Sequence, residues 1–210
     1  MSIKTAEKVA QFLESNMIQQ ITVMGGEIYC NPDWAEIMVL FLSVPSVSYA
    51  RIVTNGDWAK GKGGEFLTAL SLFKDKLNIA VSHDRWHTNN HVEMALDECK
   101  KQGFKYTETT KKEDTLDSIV PAGRGGFHIS FYGMMGCHCH NPARKYSFLI
   151  DEQGEIYKCM FGAWDYASVL EYQDGGFAAR FKEFNQVFYG TFISSCASCQ
   201  RSWHQTRKTP

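Results

Sequence analysis

Apolar and polar positions follow two alternating periods along the first half of the chain. Segments with apolar residues three and four positions apart, the spacing of one helix face, alternate with short apolar runs that end in glycine or polar residues. The pattern predicts helices in residues 5–14, 33–44, 63–76 and 90–102, and strands in residues 20–24, 49–54, 77–83 and 104–109. The first half of the chain is therefore predicted to repeat helix and strand four times.

Strands that alternate with helices call for crossover connections, which are right-handed and produce a parallel sheet. We predict an α/β fold for residues 1–118, with a parallel sheet that is either open or curled into part of a (β/α) barrel. In residues 119–210 the spacing of apolar residues is less regular, which predicts a small, cysteine-rich C-terminal extension. Within it, "FLIDEQGEIYKC" alternates on both sides of "EQGE", which predicts a β-hairpin.

Composition excludes several classes of protein. The chain has 44% hydrophobic residues and 22 basic against 23 acidic side chains, so it can bury a core and has no charge excess to attract nucleic acid or anionic lipid. We expect no nucleic-acid partner and no membrane association.

The N-terminal residues lack the apolar run of a signal peptide, which predicts a cytoplasmic protein. Seven cysteines, an odd number, favour metal ligands or reduced thiols over a disulfide framework.

Polar residues collect at the ends of three predicted strands. The segments are "GGE" at 25–27, "TNGD" at 54–57 and "SHD" at 82–84. Because ligands bind at the carboxyl ends of parallel strands, we expect these residues to line a ligand site. Paired glycines let a ligand approach the backbone, and the carboxylate that follows can accept hydrogen bonds from an ammonium group. Each segment alone is also typical of an ordinary turn or helix cap.

Together these segments resemble the radical S-adenosylmethionine superfamily, and the resemblance covers most of the chain. In that family "GGE" holds the methionine amine of the cofactor, "TNG" closes the next strand, and Ser-x-Asp often closes the one after. The resemblance implies S-adenosylmethionine as cofactor, with these binding residues: Gly25, Gly26, Glu27, Asn55, Ser82 and Asp84. Ile28 departs from the proline that usually follows the glutamate. "PAGRG" at 121–125 is similar to the segment that precedes the extension of the peptide-modifying branch.

That branch carries a C-terminal SPASM or shorter twitch extension, which binds auxiliary iron–sulfur clusters. Its signature begins with Cys, nine to fifteen residues, Gly, four residues and Cys. Here Cys139 is followed by fourteen residues, Gly154, four residues and Cys159. The resemblance implies one auxiliary [4Fe–4S] cluster held by four thiolates, those of Cys139, Cys159, Cys196 and Cys199. Cys137 is an alternative ligand to Cys139, and a peptide or small protein is the implied substrate.

Two other interpretations of the cysteines stay open. A structural zinc site uses the same thiolates on the same kind of hairpin, and nearby histidines could substitute as ligands. Cys30 and Cys99 are interpreted as unligated core cysteines, since Cys99 lies on the apolar stripe of a predicted helix and Cys30 stands alone.

One element of the family pattern is absent from the sequence. The family cleaves S-adenosylmethionine at a cluster held by Cys-x3-Cys-x2-Cys, and no such spacing occurs in these 210 residues. The chain is then either a truncated or a degenerate relative, and we expect it not to cleave S-adenosylmethionine by itself. Two functions are then possible. The chain forms most of a peptide-modifying radical enzyme, or it is a non-catalytic accessory or peptide-binding protein with a structural metal site.

Overall fold

Helices and strands alternate through the first 110 residues, in the order that the apolar periodicity predicts. The computed structural model describes residues 1–24, 27–60, 63–83, 91–110, 148–157, 165–181 and 183. The elements of this region are α1 (Ile3–Ser15), β1 (Gln20–Val23), α2 (Trp34–Ser43), β2 (Tyr49–Thr54), α3 (Gly63–Leu70), β3 (Leu77–His83), α4 (Val92–Gln102) and β4 (Lys105–Thr110). Short 3-10 turns span Ile28–Cys30, Asp57–Ala59 and Ser71–Phe73.

The four strands form one parallel sheet in the order β1-β2-β3-β4. When strand order follows the chain and every crossover is right-handed, the connecting helices all fall on the same face of the sheet. Successive helices accordingly contact one another, α1 with α2, α2 with α3 and α3 with α4. The predicted α/β fold with a parallel sheet is confirmed, and its strand order is the one shared by a singly wound open sheet and a segment of a barrel.

The core lies between this sheet and its helices. On β2 the alternate residues Ala50, Ile52 and Thr54 are buried, and their partners Leu77, Ile79 and Val81 on β3 are buried with them. The helices cover this face with large apolar side chains, among them Phe12, Met38, Leu42, Phe66 and Leu67. Period-2 burial on strands facing apolar helix stripes is the packing that the sequence pattern demands.

The ends of α4 show both agreement with the sequence prediction and a difference from it. The helix ends at Gly103, whose φ of 72° is left-handed, a conformation that glycine adopts without steric cost. Its first residue is Val92, with His91 at the N-cap position, so the helix begins later than the start at residue 90 that the periodicity predicts; residue 90 lies outside the described residues. Cys99 is fully buried on its inner stripe, as predicted.

The two isolated cysteines have different surroundings. Burial raises the pKa of the Cys99 thiol to about 12, with the neighbouring Glu98 charge adding to the effect. Cys30 is exposed, because it ends a 3-10 turn beyond the sheet edge rather than lying on an apolar face. The prediction that Cys30 is a core cysteine is therefore wrong.

The chain divides into two units, Met1–Asp114 and Thr115–Pro210. The predicted boundary after residue 118 lies outside the described residues. In the second unit, strands β5 (Leu149–Ile150), β6 (Glu155–Tyr157) and β7 (Asp165–Ser168) form an antiparallel sheet in that order.

The hairpin predicted for the second unit is confirmed by β5 and β6. Its turn is closed by Asp151, whose Oδ1 accepts hydrogen bonds from the backbone N–H groups of Gln153 and Glu155, each at 2.9 Å. Gly154 supplies the left-handed residue, with a φ of 92°. Strand β7 is not predicted, because "DYAS" is too short to show alternation.

A 3-10 turn, Val169–Tyr172, follows β7 and is capped by Ser168 and Glu171. Aromatic rings pack beside it: Phe177 lies 4.9 Å from Phe181 and 5.4 Å from Tyr172 between ring centroids. In the described ranges of both units, no helix combines the length and the apolar character needed to cross a membrane.

Candidate functional site

Glu27 connects the end of β1 to the end of β2. The Thr54 hydroxyl lies 2.8 Å from Oε1 and 2.9 Å from Oε2 of the Glu27 carboxylate, and the Asn55 backbone N–H donates to Oε2 at 2.9 Å. Hydrogen bonds to an ionised carboxylate are among the stronger ones in proteins. Two of the segments predicted to share a ligand site, "GGE" and "TNG", are therefore in direct contact.

The turn that follows β2 is held by its own side chains. The Asn55 side-chain amide donates to Asp57 Oδ2 at 3.0 Å and its carbonyl accepts from the Asp57 backbone N–H at 2.9 Å. The Gly56 N–H donates to the Thr54 hydroxyl at 3.1 Å, so this hydroxyl donates to Glu27 while it accepts from the turn. Asn and Asp side chains commonly brace turns in this way.

Gly56 is the residue that this turn requires. Its φ is 85°, in the left-handed region, and a Cβ placed on it would lie 3.2 Å from Ala95 Cβ and 3.3 Å from Val81 Cγ1. The turn thus packs directly on α4 and β3, and a Cβ at Gly56 would require these neighbours to shift by a few tenths of an ångström. This close approach fixes the position of Thr54 and Asn55, the two residues that donate hydrogen bonds to Glu27.

Three buried polar atoms near this turn have no hydrogen-bond partner among the residues that the structure describes. They are Asp57 Oδ1, Trp58 Nε1 and His91 Nε2. The His91 carbonyl oxygen would lie 3.5 Å from a Cβ on Gly56, so the start of α4 adjoins the turn. Buried polar atoms are usually paired, and unpaired ones often mark a place where water or a ligand binds.

An aromatic cluster lies beside the same turn. Trp58 stacks on Phe66 with ring centroids 4.8 Å apart, and Phe66 stacks on Trp34 at 4.9 Å. Tyr29, two residues after Glu27, contacts Trp34 at 5.5 Å and Phe66 at 6.1 Å. These rings join the segments that follow β1 and β2 to α2 and α3, and they place apolar surface beside the polar turn.

The remaining predicted cofactor residues have different placements. Ser82 is half-buried near the end of β3, and its side chain alternates with Val81, the partner of Thr54. Ser82 therefore faces the side of the sheet opposite to Thr54. Gly25, Gly26 and Asp84 lie outside the described residues.

The predicted metal ligands also lie outside the described residues: Cys139, Cys159, Cys196 and Cys199, together with the alternative Cys137. Within the described residues, no group of three or more His, Cys, Asp or Glu side chains could hold a metal ion. The β5–β6 hairpin lies between Cys139 and Cys159 in the sequence.

Comparisons with known proteins leave the family open. No family model matches the chain, and no curated protein matches it either.

Two aromatic residues beside the site were not predicted from the sequence. Tyr29 and Phe66 gave no separate signal, because an aromatic residue on an apolar stripe looks like any other core residue. Asp57 belongs to "TNGD", a segment predicted to line the ligand site, but the resemblance assigns it no role in cofactor binding.

Proposed function

We propose that the Glu27 edge of the sheet binds the ammonium group of S-adenosylmethionine, and that the chain is a radical S-adenosylmethionine enzyme-like protein acting on a peptide. One observation carries the proposal: the "GGE" glutamate and the "TNG" turn, which the resemblance assigns to one cofactor site, are hydrogen-bonded to each other. The sequential parallel strand order supports a partial barrel as the scaffold.

The Glu27 carboxylate has capacity for an ammonium ligand. A hydroxyl has one proton, so Thr54 supplies one shared hydrogen bond to the two oxygens, and the Asn55 N–H supplies a second to Oε2. A carboxylate accepts about four hydrogen bonds, which leaves an acceptor position at least on Oε1. An ammonium group offers three donors and a positive charge, and it fits an oriented, half-buried carboxylate.

Asp57 adds a second acceptor at the same turn. Its Oδ1 is buried and has no partner in the described part of the chain, so a donor group of a ligand would satisfy it. The stacked rings of Trp58 and Phe66 are buried beside the turn, and an apolar, low-dielectric surrounding strengthens charged contacts. These features support a polar, amine-bearing ligand over a purely apolar one.

The auxiliary metal is proposed on the four cysteines Cys139, Cys159, Cys196 and Cys199. The β5–β6 hairpin supports this assignment, because it reverses the chain between Cys139 and Cys159. A thiolate-held iron–sulfur cluster would supply electron transfer, and zinc on the same ligands would supply structure alone. Anaerobic reconstitution with iron and sulfide, followed by metal and sulfide analysis, distinguishes the two.

The binding proposal is tested by calorimetric titration of the full chain with S-adenosylmethionine. Glu27→Gln should weaken binding by about tenfold or more, since one hydrogen bond to a charged group contributes about 1.5–3 kcal/mol. Glu36→Gln is the matched control: Glu36 is an exposed carboxylate on α2 in the same unit, and its loss should leave affinity unchanged.

A ligand comparison gives an answer that does not depend on any variant. The deaminated analogue of S-adenosylmethionine should bind the native chain about as weakly as the cofactor binds Glu27→Gln. Equal affinity for cofactor and analogue, or unchanged affinity in Glu27→Gln, would contradict the proposal.

The same chain should not cleave the cofactor by itself. No Cys-x3-Cys-x2-Cys segment occurs in the 210 residues, so the family's cluster has no matching ligand set here. After reconstitution and reduction, 5′-deoxyadenosine should not exceed the level of a metal-only control. Product formation that Glu27→Ala abolishes would show that a different ligand set is at work.

A further inference from the structure

The second face of the parallel sheet carries a polar row beside the apolar residues Val53 and Ala80. Ala50, Ile52 and Thr54 point into the helix layer, so Arg51 and Val53 point to the opposite face, which we call the open face. The strand register aligns four residues in one row across it: Thr22 on β1, Arg51 on β2, Asn78 on β3 and Lys105 on β4. Parallel sheets usually bury both faces behind apolar residues, and this row departs from that rule.

The open face carries positive charge and no carboxylate at the strand positions that the structure describes. Its two cations are Arg51 and Lys105. The Lys105 ammonium donates to the Asp75 backbone carbonyl at 2.9 Å, so it is already held at the far edge. Arg51 has no ion pair within the described ranges, and its Nε is buried without a hydrogen-bond partner. A half-buried guanidinium in this state is costly unless an anion binds it.

Neutral donors flank Arg51 on both sides. The Asn78 side-chain oxygen accepts from the Thr107 hydroxyl at 3.2 Å, which leaves its NH₂ group without a partner among described residues. On the β1 side of Arg51, the Thr22 hydroxyl also makes no side-chain hydrogen bond with the described residues. Neighbouring strands lie about 4.8 Å apart, so the three donor groups fall within about 10 Å of one another.

We propose that the open face binds a carboxylate group of a ligand, with Arg51 as the charged donor and with Asn78 and Thr22 as neutral donors. Guanidinium matches a carboxylate with two parallel N–H···O bonds. Arg51 lies between the two neutral donors, whereas Lys105 is two strands away at the edge, so one positive charge meets the ligand directly. One positive charge favours a carboxylate over a doubly charged phosphate. The site is separate from Glu27, since Glu27 contacts Thr54, whose side chain belongs to the helix-covered face.

The site is tested on the full chain by nuclear magnetic resonance of the arginine Nε–H groups, with the Arg51 signal assigned by its loss in Arg51→Lys. The probes are N-acetyl-Gly-Glu-Gly-amide and its Gln counterpart, which differ only in one carboxylate. The Glu peptide should shift the Arg51 signal saturably and bind about tenfold more tightly than the Gln peptide. Inorganic phosphate, the third probe, should bind more weakly than the Glu peptide.

Variants separate the site from general charge. Arg51→Gln should abolish the preference for the Glu peptide, and Arg51→Lys should weaken it severalfold because the bidentate geometry is lost. Lys74→Gln removes an exposed cation of the same unit outside the sheet and should bind like the native chain. If Arg51→Gln fails to fold, the difference in affinity between the two peptides on the native chain still tests the proposal. Equal binding of both peptides, tighter phosphate binding, or an Arg51 signal that no probe shifts would overturn the proposal.

Discussion

Replacing Thr54 with valine tests the junction between the "GGE" and "TNG" segments. Thr54 is 3% exposed, and its hydroxyl bonds both the Glu27 carboxylate and the Gly56 N–H. Valine has nearly the same shape and the same strand preference, so the packing of β2 should survive. The substitution therefore removes the hydroxyl and little else.

The expected loss follows from the two hydrogen bonds. The bond to the charged Glu27 contributes about 1.5–3 kcal/mol, and leaving the buried Gly56 N–H unpaired costs about 1–3 kcal/mol. Because Glu27 is half-buried and water can replace part of its loss, we expect Thr54→Val to lower the free energy of unfolding by about 2–4 kcal/mol. Thr54→Ser keeps the hydroxyl and loses one methyl group, which should cost about 1 kcal/mol.

Urea denaturation followed by far-ultraviolet circular dichroism measures these differences. A double-mutant cycle with Glu27→Gln isolates the contact and should give a coupling free energy of at least about 1 kcal/mol. The reasoning is refuted if Thr54→Val costs less than Thr54→Ser, or if the coupling falls below about 0.5 kcal/mol.

Three further predictions concern glycine geometry, thiol titration and metal binding. Gly56→Ala should destabilise the fold by at least about 1 kcal/mol more than Gly103→Ala, because both have positive φ but only Gly56 would also crowd its neighbours; equal losses in urea denaturation would contradict this. For Cys99 the folded pKa of about 12 exceeds the ordinary value of 9.0, so the unfolded chain loses this proton first, and the free energy of unfolding should fall as pH rises from 9 towards 12. Cys99→Ala should reduce the slope of the free energy of unfolding against pH in this range, and an unchanged slope would contradict the role of Cys99. Cys159→Ser should lower the iron or zinc content after reconstitution, whereas Cys30→Ser should not; full metal content in Cys159→Ser would exclude it as a ligand.

Local periodicity was sufficient to predict the element order of the first unit. Helix and strand differ in the spacing of their apolar residues, and that spacing is visible within ten residues, as in "QITV" and in the stripe that contains Val92 and Cys99. The β5–β6 hairpin was predictable for the same reason, since its turn chemistry and its alternation are neighbours in the chain. The later start of α4 and the exposure of Cys30 were missed, because caps and single residues carry little periodic signal.

By itself, then, the sequence determined the α/β class, the parallel sheet and the segments whose polar residues gather at strand ends. Only the tertiary structure decided what those residues contact. Glu27 and Thr54 are 27 residues apart, and their hydrogen bond depends on the position of the segment after β1 relative to the end of β2. That Arg51 has no ion pair among the described residues depends equally on strand register, which aligns it with Thr22 and Asn78 and with no carboxylate at a described strand position of that face. Periodicity reports which face a residue occupies, whereas the identity of its neighbours follows from pairing between segments that are distant in the chain.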